Sequence, residues 1–279
     1  MSLVDFDVIK FKSFEMNRIL ATVQQVAASV APILVSGPTG SGKSALAHFI
    51  HRQSRREKLL IVDCKKNEPL PALGKNSTLL IENIDYADGT FQENLFELMA
   101  INEDWKPRVL ATSKRDLKSI VKVEQFRADL FYKLSVIHLE IPKLSSRIED
   151  IPQLVEFMVE VSSIIHGKGQ VDLSPLALQK LEQWSWNANV RELENVVERA
   201  VILCKNNVIS EENITFEPVS DEVLIEFSPG MSLSEVEKRL ILQTLELTSQ
   251  NRTKAAGLLG ISIRTLRNKL NEYRIEGEL

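Results

Sequence analysis

One stretch of eight residues constrains the fold of this chain more than any other. It follows the apolar run at residues 33–35 and precedes a helix-like stretch that begins at Ala45. The stretch consists of Gly37, Pro38, Thr39, Gly40, Ser41, Gly42, Lys43 and Ser44. A strand, a glycine-rich loop, a lysine, a hydroxyl and a helix, in that order, form the context of a phosphate-binding loop. A chance glycine-rich turn is the alternative, and the flanking strand and helix argue against it.

The chemistry of this loop predicts a nucleoside triphosphate as its ligand. Glycines allow backbone N–H groups to converge on phosphate oxygens, and the following helix directs its partly positive end at them. We expect Lys43 to reach the outer phosphates and the Ser44 hydroxyl to bind Mg²⁺.

The rest of the first half alternates between strand and helix patterns. Short β-rich runs lie at residues 59–63, 78–82, 108–112 and 135–141, and helical patterns separate most of them. Together with the strand before the loop, they predict a parallel sheet of five strands that is covered on both faces. Ligands of such sheets bind at the carboxyl ends of the strands, where the loop would lie.

The β pattern stops after Pro142. Three amphipathic stretches then predict a small helical subdomain, and the acidic, poorly periodic residues 210–229 predict a linker. We therefore divide the chain into an α/β nucleotide-binding core at residues 1–142, a helical subdomain at 143–208, a linker at 209–231 and a C-terminal domain at 232–279.

The C-terminal domain carries a concentrated positive charge. Residues 252–274 contain six basic side chains against one acidic side chain, Glu272. Two helical stretches join at a turn formed by residues 260–262, and Ala256 lies four residues before Gly260. The small alanine lets two helices approach each other and the glycine permits the turn, so the pattern predicts a helix-turn-helix.

This helix-turn-helix predicts binding to double-stranded DNA. Ser262 can cap the second helix. The helix then presents four side chains to the major groove, namely Ile263, Arg264, Arg267 and Asn268. We expect Lys254 and Lys269 to contact phosphates, which position the protein on DNA without specifying a sequence. The alternative is a solvated pair of basic helices.

Composition restricts the remaining possibilities. The 279 residues carry a formal net charge of −4, so any attraction to nucleic acid has to be local. Cys64 and Cys204 are too few and too far apart for a disulfide framework, and they predict buried, reduced thiols. Without a long apolar run or a signal peptide, the sequence predicts a cytoplasmic protein that has no membrane segment. The four histidines show no metal-ligand spacing with the cysteines.

Three further segments are more specific to one protein family than the phosphate loop is. They lie at residues 126–134, 141–152 and 186–193. They resemble the arginine-finger segment, the core-to-lid segment and the sensor 2 motif of the bacterial enhancer-binding proteins. These are the NtrC-like, sigma-54-dependent AAA+ regulators with a Fis-type helix-turn-helix, and the resemblance covers about residues 10–279. It implies an α/β AAA+ core, a helical lid and an all-α DNA-binding domain, with ATP as the nucleotide and assembly into a homo-oligomer.

The resemblance also implies roles for single residues. Arg127 would reach the γ-phosphate bound by a neighbouring subunit, and Lys133 stands where the family usually has a second arginine. Arg191 would report the nucleotide state to the lid from within its own subunit. For each arginine the alternative is a surface ion pair, which contributes little.

Departures from the family concern first its surface loops. The GAFTGA loop, with which the family's activators touch sigma-54, should precede the acidic strand, but residues 63–77 alone fill that interval. No GAFTGA-like string occurs in the sequence, and the second surface loop, between residues 84 and 108, is also short. The chain starts directly at the ATPase-like core, so we expect no receiver domain. The sequence therefore lacks the loop with which the family's activators usually contact sigma-54.

Other departures concern hydrolysis. The family's acidic strand ends in Asp-Glu, whereas the pair here is Glu82-Asn83. Glu82 can still hold the metal through water, but Asn83 cannot act as a general base, and losing that base lowers a rate by about 10²–10⁴. Asp63 lies where many relatives have an asparagine, so we hypothesise that the two side chains have exchanged strands; the alternative is a polar strand end. Lys114 replaces the usual sensor 1 asparagine and cannot orient water in the same way.

The sequence thus predicts an ATP-binding, sequence-specific DNA-binding regulator whose nucleotide controls association into a dimer or larger homo-oligomer. Intact relatives are further candidate partners for co-assembly. We expect weak or absent ATP hydrolysis and no remodelling of sigma-54 polymerase. A working ATPase activator of sigma-54-dependent promoters is the main alternative. A replication or transposition AAA+ protein is a third, against which the segments at 126–134 and 141–152 argue.

Overall fold

The computed structural model describes residues 5–72, 74, 76–100, 107–216, 232–248 and 251–275. The chain divides into two compact units, Met1–Glu217 and Pro218–Leu279, which are described separately. The described residues include no helix that is long and apolar enough to cross a membrane. They also include no group of three or more histidine, cysteine or acidic side chains that could hold a metal ion.

Five parallel strands form the central sheet, in the order β2-β3-β4-β1-β5. The strands are β1 (Ile33–Ser36), β2 (Lys58–Asp63), β3 (Ser77–Glu82), β4 (Arg108–Ser113) and β5 (Ile137–Glu140). The predicted five-stranded parallel sheet is confirmed. Since β1 lies between β4 and β5, the loop that follows it emerges at the carboxyl ends of the strands, between those two neighbours.

Helices cover both faces of this sheet. They are α1 (Phe14–Val26), α2 (Lys43–Gln53), α3 (Gly89–Ala100), α4 (Leu117–Lys122) and α5 (Ala128–Leu134). Successive residues of β3 point to opposite faces, so Leu80 packs in one hydrophobic cluster while Leu79 and Ile81 pack in the other. β4 is buried at every position, and its central residues 109–111 are apolar without alternation, as expected for a strand covered on both faces.

A joint at residues 141–150 leads from β5 into a helical lid at residues 151–216. The lid contains α6 (Ile151–Ile165), α7 (Pro175–Glu182) and α8 (Asn189–Leu203), with β6 (Asp172–Leu173) paired to β7 (Val208–Ile209). Residues 209–216, which we predicted as the start of a linker, belong to this lid. Ile209 is fully buried, and the Phe216 ring stacks on Trp184 with 4.0 Å between ring centroids. The apolar side chains among these acidic residues complete the lid core, and the rest of the predicted linker, from residue 217 to 231, lies outside the described residues.

The described residues of the second unit form the helices α9 (Leu233–Leu247), α10 (Arg252–Leu258) and α11 (Ile263–Ile275). Their shared core is formed by Ile241, Leu245, Ala255, Ala256, Leu266 and Tyr273. Gly260 has a φ of 66° at the turn between α10 and α11, a conformation that favours glycine. The predicted helix-turn-helix is therefore present, with Ala256 buried where the helices meet.

Candidate nucleotide site and DNA-binding unit

The phosphate loop, residues 37–44, connects β1 to α2. Gly42 lies directly before α2 with a φ of 104°, so the N-terminal amides of the helix face the region where the phosphates would bind. Gly40 has a φ of 74°, and a Cβ atom on it would lie 2.0 Å from the carbonyl oxygen of Ala188. Glycine is required at this position both by the backbone conformation and by the approach of the lid.

Lys43 lies at the first position of α2, and its ammonium group is held by the loop itself. Its Nζ donates to the carbonyl oxygens of Gly37 and Pro38, each at 2.8 Å. Burial lowers the pKa of Lys43 to about 8, with the Asp85 carboxylate opposing the shift and the Lys114 ammonium adding to it. A partly desolvated cation next to another cation favours an anionic ligand, because a phosphate would satisfy both charges.

The carboxyl ends of β2 and β3 bring the three predicted hydrolysis residues together. Asp63 is paired in register with Glu82, and Asn83 follows in the left-handed conformation at φ 54°. Asn83 Nδ2 donates to Asp63 Oδ1 at 2.8 Å. The same oxygen accepts from the backbone N–H of Lys65 at 3.1 Å, so Asp63 also caps the turn after β2. The carboxylate and the amide are thus in direct contact, each on the strand where the family resemblance places the other.

One carboxylate of this site was missed in the sequence. The side chain of Asp85 is fully buried, and its oxygens accept from the backbone N–H of Lys114 and from Arg115 Nε, each at 3.2 Å. Because Asp85 fixes the loop after β4, it sets the position of Lys114 beside the phosphate loop. In the sequence, this role is indicated by an acidic residue two positions after Asn83.

Arg127 precedes α5 at an exposed position. Its guanidinium pairs with Asp129 at 2.8 Å, and this hydrogen bond raises the pKa of Arg127. The Arg127 Cζ atom lies 4.8 Å from the centroid of the Phe96 ring, and Lys133 Nζ lies 4.0 Å from the same centroid. One aromatic ring therefore supports both candidate cations of the predicted finger segment. No local sequence pattern indicated this role for Phe96, since α3 carries it from another part of the chain.

Arg191 lies in the first turn of α8, above the phosphate loop. Its backbone N–H donates to the Gly40 carbonyl oxygen at 3.3 Å, and its side chain is exposed. The neighbouring Asn189 donates from Nδ2 to the Thr39 carbonyl oxygen at 2.9 Å. The predicted sensor 2 segment therefore contacts the phosphate loop through the backbone of Arg191 and the side chain of Asn189.

In the second unit, one face of α11 packs against the core and the opposite face is exposed to solvent. Leu266 is fully buried, whereas the four predicted groove residues are exposed, namely Ile263, Arg264, Arg267 and Asn268. Ser262 Oγ accepts from the Thr265 N–H at 3.0 Å and so caps α11, as predicted. Lys254 is exposed on α10. Lys269 Nζ instead pairs with Glu237 of α9 at 2.6 Å, so its predicted phosphate contact competes with an ion pair inside the unit.

Comparisons with known proteins agree with this arrangement. The family description "Sigma-54 interaction domain" matches residues 12–144, "AAA+ ATPase lid domain" matches residues 145–222, and "Bacterial regulatory protein, Fis family" matches residues 232–273. The transcriptional regulatory protein FlbD of Caulobacter vibrioides is 35% identical, over 94% of this chain and 69% of FlbD. The chain belongs to the sigma-54-interacting AAA+ transcriptional regulators with a Fis-type helix-turn-helix. It is a transcriptional regulator with a nucleotide-binding AAA+ core and a DNA-binding tail.

Other relatives and solved structures extend this result. The regulatory protein AtoC of Escherichia coli is 32% identical, over 94% of this chain and 66% of AtoC, so the chain spans about two thirds of the length of such relatives. The structure of NtrX from Brucella abortus in complex with ATP superimposes with a TM-score of 0.66 at 23% identity, over 95% of this chain and 68% of NtrX. The Holliday junction motor RuvB of Thermotoga maritima gives 0.59 at 17% identity, over 94% of this chain and 86% of RuvB. At these identities the two structures support the AAA+ fold alone.

Proposed function

We propose that this regulator uses ATP to control its assembly on DNA and hydrolyses ATP slowly. The observation that carries the proposal is the hydrogen bond from Asn83 to Asp63 beside an otherwise complete phosphate loop. Asn83 stands at the position from which the family activates water, and an amide cannot accept a proton. Residual turnover then depends on Asp63, whose Oδ1 already accepts from Asn83 and from the backbone of Lys65.

Mg²⁺ is part of this proposal. Ser44 supplies a hydroxyl and Glu82 a carboxylate, and oxygen ligands of these two kinds suit Mg²⁺ together with phosphate oxygens. Glu82 lies at the carboxyl end of β3, close enough for its charge to act on the pKa of Lys43. These residues would hold the ion, and the ion would neutralise charge on the outer phosphates.

We further propose that the chain cannot remodel sigma-54 polymerase in the usual way. The alignment with FlbD runs over 315 positions although it draws on 94% of a 279-residue chain, so FlbD carries residues within this stretch that the chain lacks. A shortened loop at residues 63–77, where the GAFTGA string is missing, would account for part of this difference. Sigma-54 contact would then require a different surface.

In this proposal, ATP controls DNA binding through the association of subunits. Arg127 is exposed and is held by contacts with Phe96 and Asp129, so its guanidinium can contact a phosphate bound by another subunit. In this proposal ATP favours a dimer or larger homo-oligomer, or an assembly with intact relatives, and thereby sets the spacing of the helix-turn-helix units on DNA in the cytoplasm. Control of this kind requires only that ATP binds one assembly state more tightly than the other.

Two measurements test the proposal together. Genome-wide mapping of bound DNA should give a defined set of sites for the wild-type chain and an altered set for Lys43→Ala. Open-complex formation by sigma-54 polymerase on a responsive promoter should not increase when the chain and Mg·ATP are added. Strong stimulation of open complexes would favour a working ATPase activator instead.

A further inference from the structure

Three successive carbonyl groups of the phosphate loop accept hydrogen bonds from residues outside the loop. The Thr39 oxygen accepts from Asn189 Nδ2 at 2.9 Å, and the Gly40 oxygen accepts from the Arg191 N–H at 3.3 Å. The Ser41 oxygen accepts from Arg147 Nη2 at 3.0 Å. Two of the donors belong to α8 of the lid and one belongs to the joint, so both segments are hydrogen-bonded to the phosphate loop.

Asn189 connects three parts of the molecule through one buried amide. The residue is 3% exposed, and its Oδ1 accepts from the backbone N–H of Leu144 in the joint at 2.8 Å. Its φ of 57° is unusual for a residue other than glycine and places the amide between joint and loop. A buried amide is retained without penalty because both of its ends are satisfied.

Arg147 is a buried cation directed at the same loop. It is 1% exposed, and burial lowers its pKa to about 10 against the opposing charge of Asp150. Among the described residues, neither Arg147 Nε nor the Ser41 Oγ has a hydrogen-bond partner. Burying a guanidinium with an unpaired donor is unfavourable, so its position beside the loop has to be explained by more than packing.

These contacts have a consequence for phosphate binding. A donor at a carbonyl oxygen polarises the whole peptide group, and hydrogen bonds in such chains strengthen each other by about 10–30%. The N–H groups of the same peptide units belong to Gly40, Ser41 and Gly42, which lie in the loop that cradles the phosphates. The Ser41 N–H donates to the Pro38 carbonyl oxygen at 3.2 Å within the loop. Asn189 and Arg147, which contact the Thr39 and Ser41 oxygens, therefore act on the other two N–H groups, those of Gly40 and Gly42.

We propose that Asn189 and Arg147 are positioning residues for the bound nucleotide. They fix and polarise the peptide units of the phosphate loop, so the affinity for the phosphates depends on the lid being seated on the loop. By linkage, a bound nucleotide holds the lid in place to the same extent. The close approach of the Ala188 oxygen to Gly40 supports this role, because it leaves no room for a side chain between lid and loop. The inference rests on the proposed use of ATP by this loop.

Asn189→Asp tests the contact at a single group. The substitution keeps an acceptor for Leu144 and replaces the donor to Thr39 with an oxygen that repels the carbonyl. We expect the Kd for ATP and for ADP, measured by titration calorimetry on the full chain, to rise about tenfold or more. Asn207→Asp is the matched control, since Asn207 also lies in the lid at a positive φ of 55° but is exposed, and its Kd should equal that of the wild type.

Arg147→Lys and Arg147→Met form a second, independent pair. Lysine keeps the charge and can reach the Ser41 oxygen, so it should retain most of the affinity, whereas methionine should lose it about tenfold. Native melting temperatures in the absence of nucleotide establish that each variant is folded. Equal Kd values for wild type, Asn189→Asp and Arg147→Met would overturn the inference. A wild-type chain that binds neither ATP nor ADP would instead overturn the proposed use of nucleotide.

Amide hydrogen exchange on the wild-type chain gives a result that does not depend on any variant. Addition of ADP should slow exchange in the loop at residues 37–44 and, to a similar degree, in the lid segment at residues 186–193. Protection of the loop with an unchanged lid segment would contradict the proposed coupling.

Discussion

The two sides of the nucleotide site differ in how far they keep the chemistry of the family. On the phosphate side, the glycines, Lys43 and Ser44 are all in place, and the lid is packed against the loop through Gly40. On the hydrolysis side, the amide of Asn83 lies where a base is expected, and Lys114 lies where a neutral amide is expected. This difference is the basis for the proposal that the chain binds ATP but hydrolyses it slowly, since binding and hydrolysis would depend on different residues.

Lys43→Ala should have the largest effect, because it removes the cation of the phosphate side. We expect ATP binding to fall below detection in titration calorimetry, while binding of the full chain to an operator fragment at high protein concentration persists through α11. Lys43→Met serves as a second neutral variant of similar length. Retained ATP affinity in both would show that the phosphate side has been misassigned.

Arg127→Ala probes the surface that would face a neighbouring subunit and that belongs to neither the phosphate side nor the hydrolysis side. We expect ATP-dependent self-association, measured by sedimentation velocity, to weaken about a hundredfold because a charge contact to phosphate is lost. The Kd for ATP of the dilute, unassociated chain should not change. Arg52→Ala is a suitable control, since that arginine is also exposed and pairs with Asp5 and Asp7 inside its own subunit. Unchanged association of Arg127→Ala would leave Arg127 as a surface ion pair with Asp129.

Arg267→Ala tests the DNA-binding unit, where nucleotide chemistry plays no part. If Arg267 contacts a base edge, the variant should lose about 1–3 kcal/mol of binding free energy at its operator and discriminate less between sequences. Lys254→Ala should weaken binding to all sequences alike. A uniform loss for Arg267→Ala would reassign this arginine to the phosphate backbone.

The pH dependence of ATP binding is the smallest expected effect. The pKa of Lys43 is lowered to about 8, so its amine is mostly protonated at pH 7 and mostly neutral at pH 9 in the unliganded chain. Because phosphate binding requires the ammonium form, the Kd for ATP should rise about tenfold from pH 7 to pH 9. Lys43→Arg keeps its charge throughout this range and should show a flatter profile.

Local patterns were sufficient to predict the sheet and the helix-turn-helix. The runs before and after the phosphate loop carry their own strand and helix periodicity, and Ala256 with Gly260 carries the turn. The sequence also placed Asp63 and Asn83 at neighbouring strand ends, since parallel strands bring their carboxyl ends to one edge.

Contacts between distant segments could not be predicted in the same way. The support of Arg127 by Phe96 joins α3 to α5, and the bridge from Asn189 to Thr39 joins the lid to the loop across 150 positions of sequence. The acidic composition of residues 209–216 predicts a linker, whereas the lid core takes in Ile209, Ile214 and the ring of Phe216. Such pairings depend on how the elements pack, which periodicity alone does not contain.

Steady-state phosphate release with Mg·ATP tests the central claim most directly, with the wild type and the Asp63→Asn/Asn83→Glu double variant side by side. The double variant returns the carboxylate to β3 and the amide to β2. We expect the wild type to turn over well below about one ATP per second, the scale of an ordinary enzyme, and the double variant to be about 10² faster. A wild-type rate above one per second that the double variant does not exceed would contradict the separation of binding from hydrolysis.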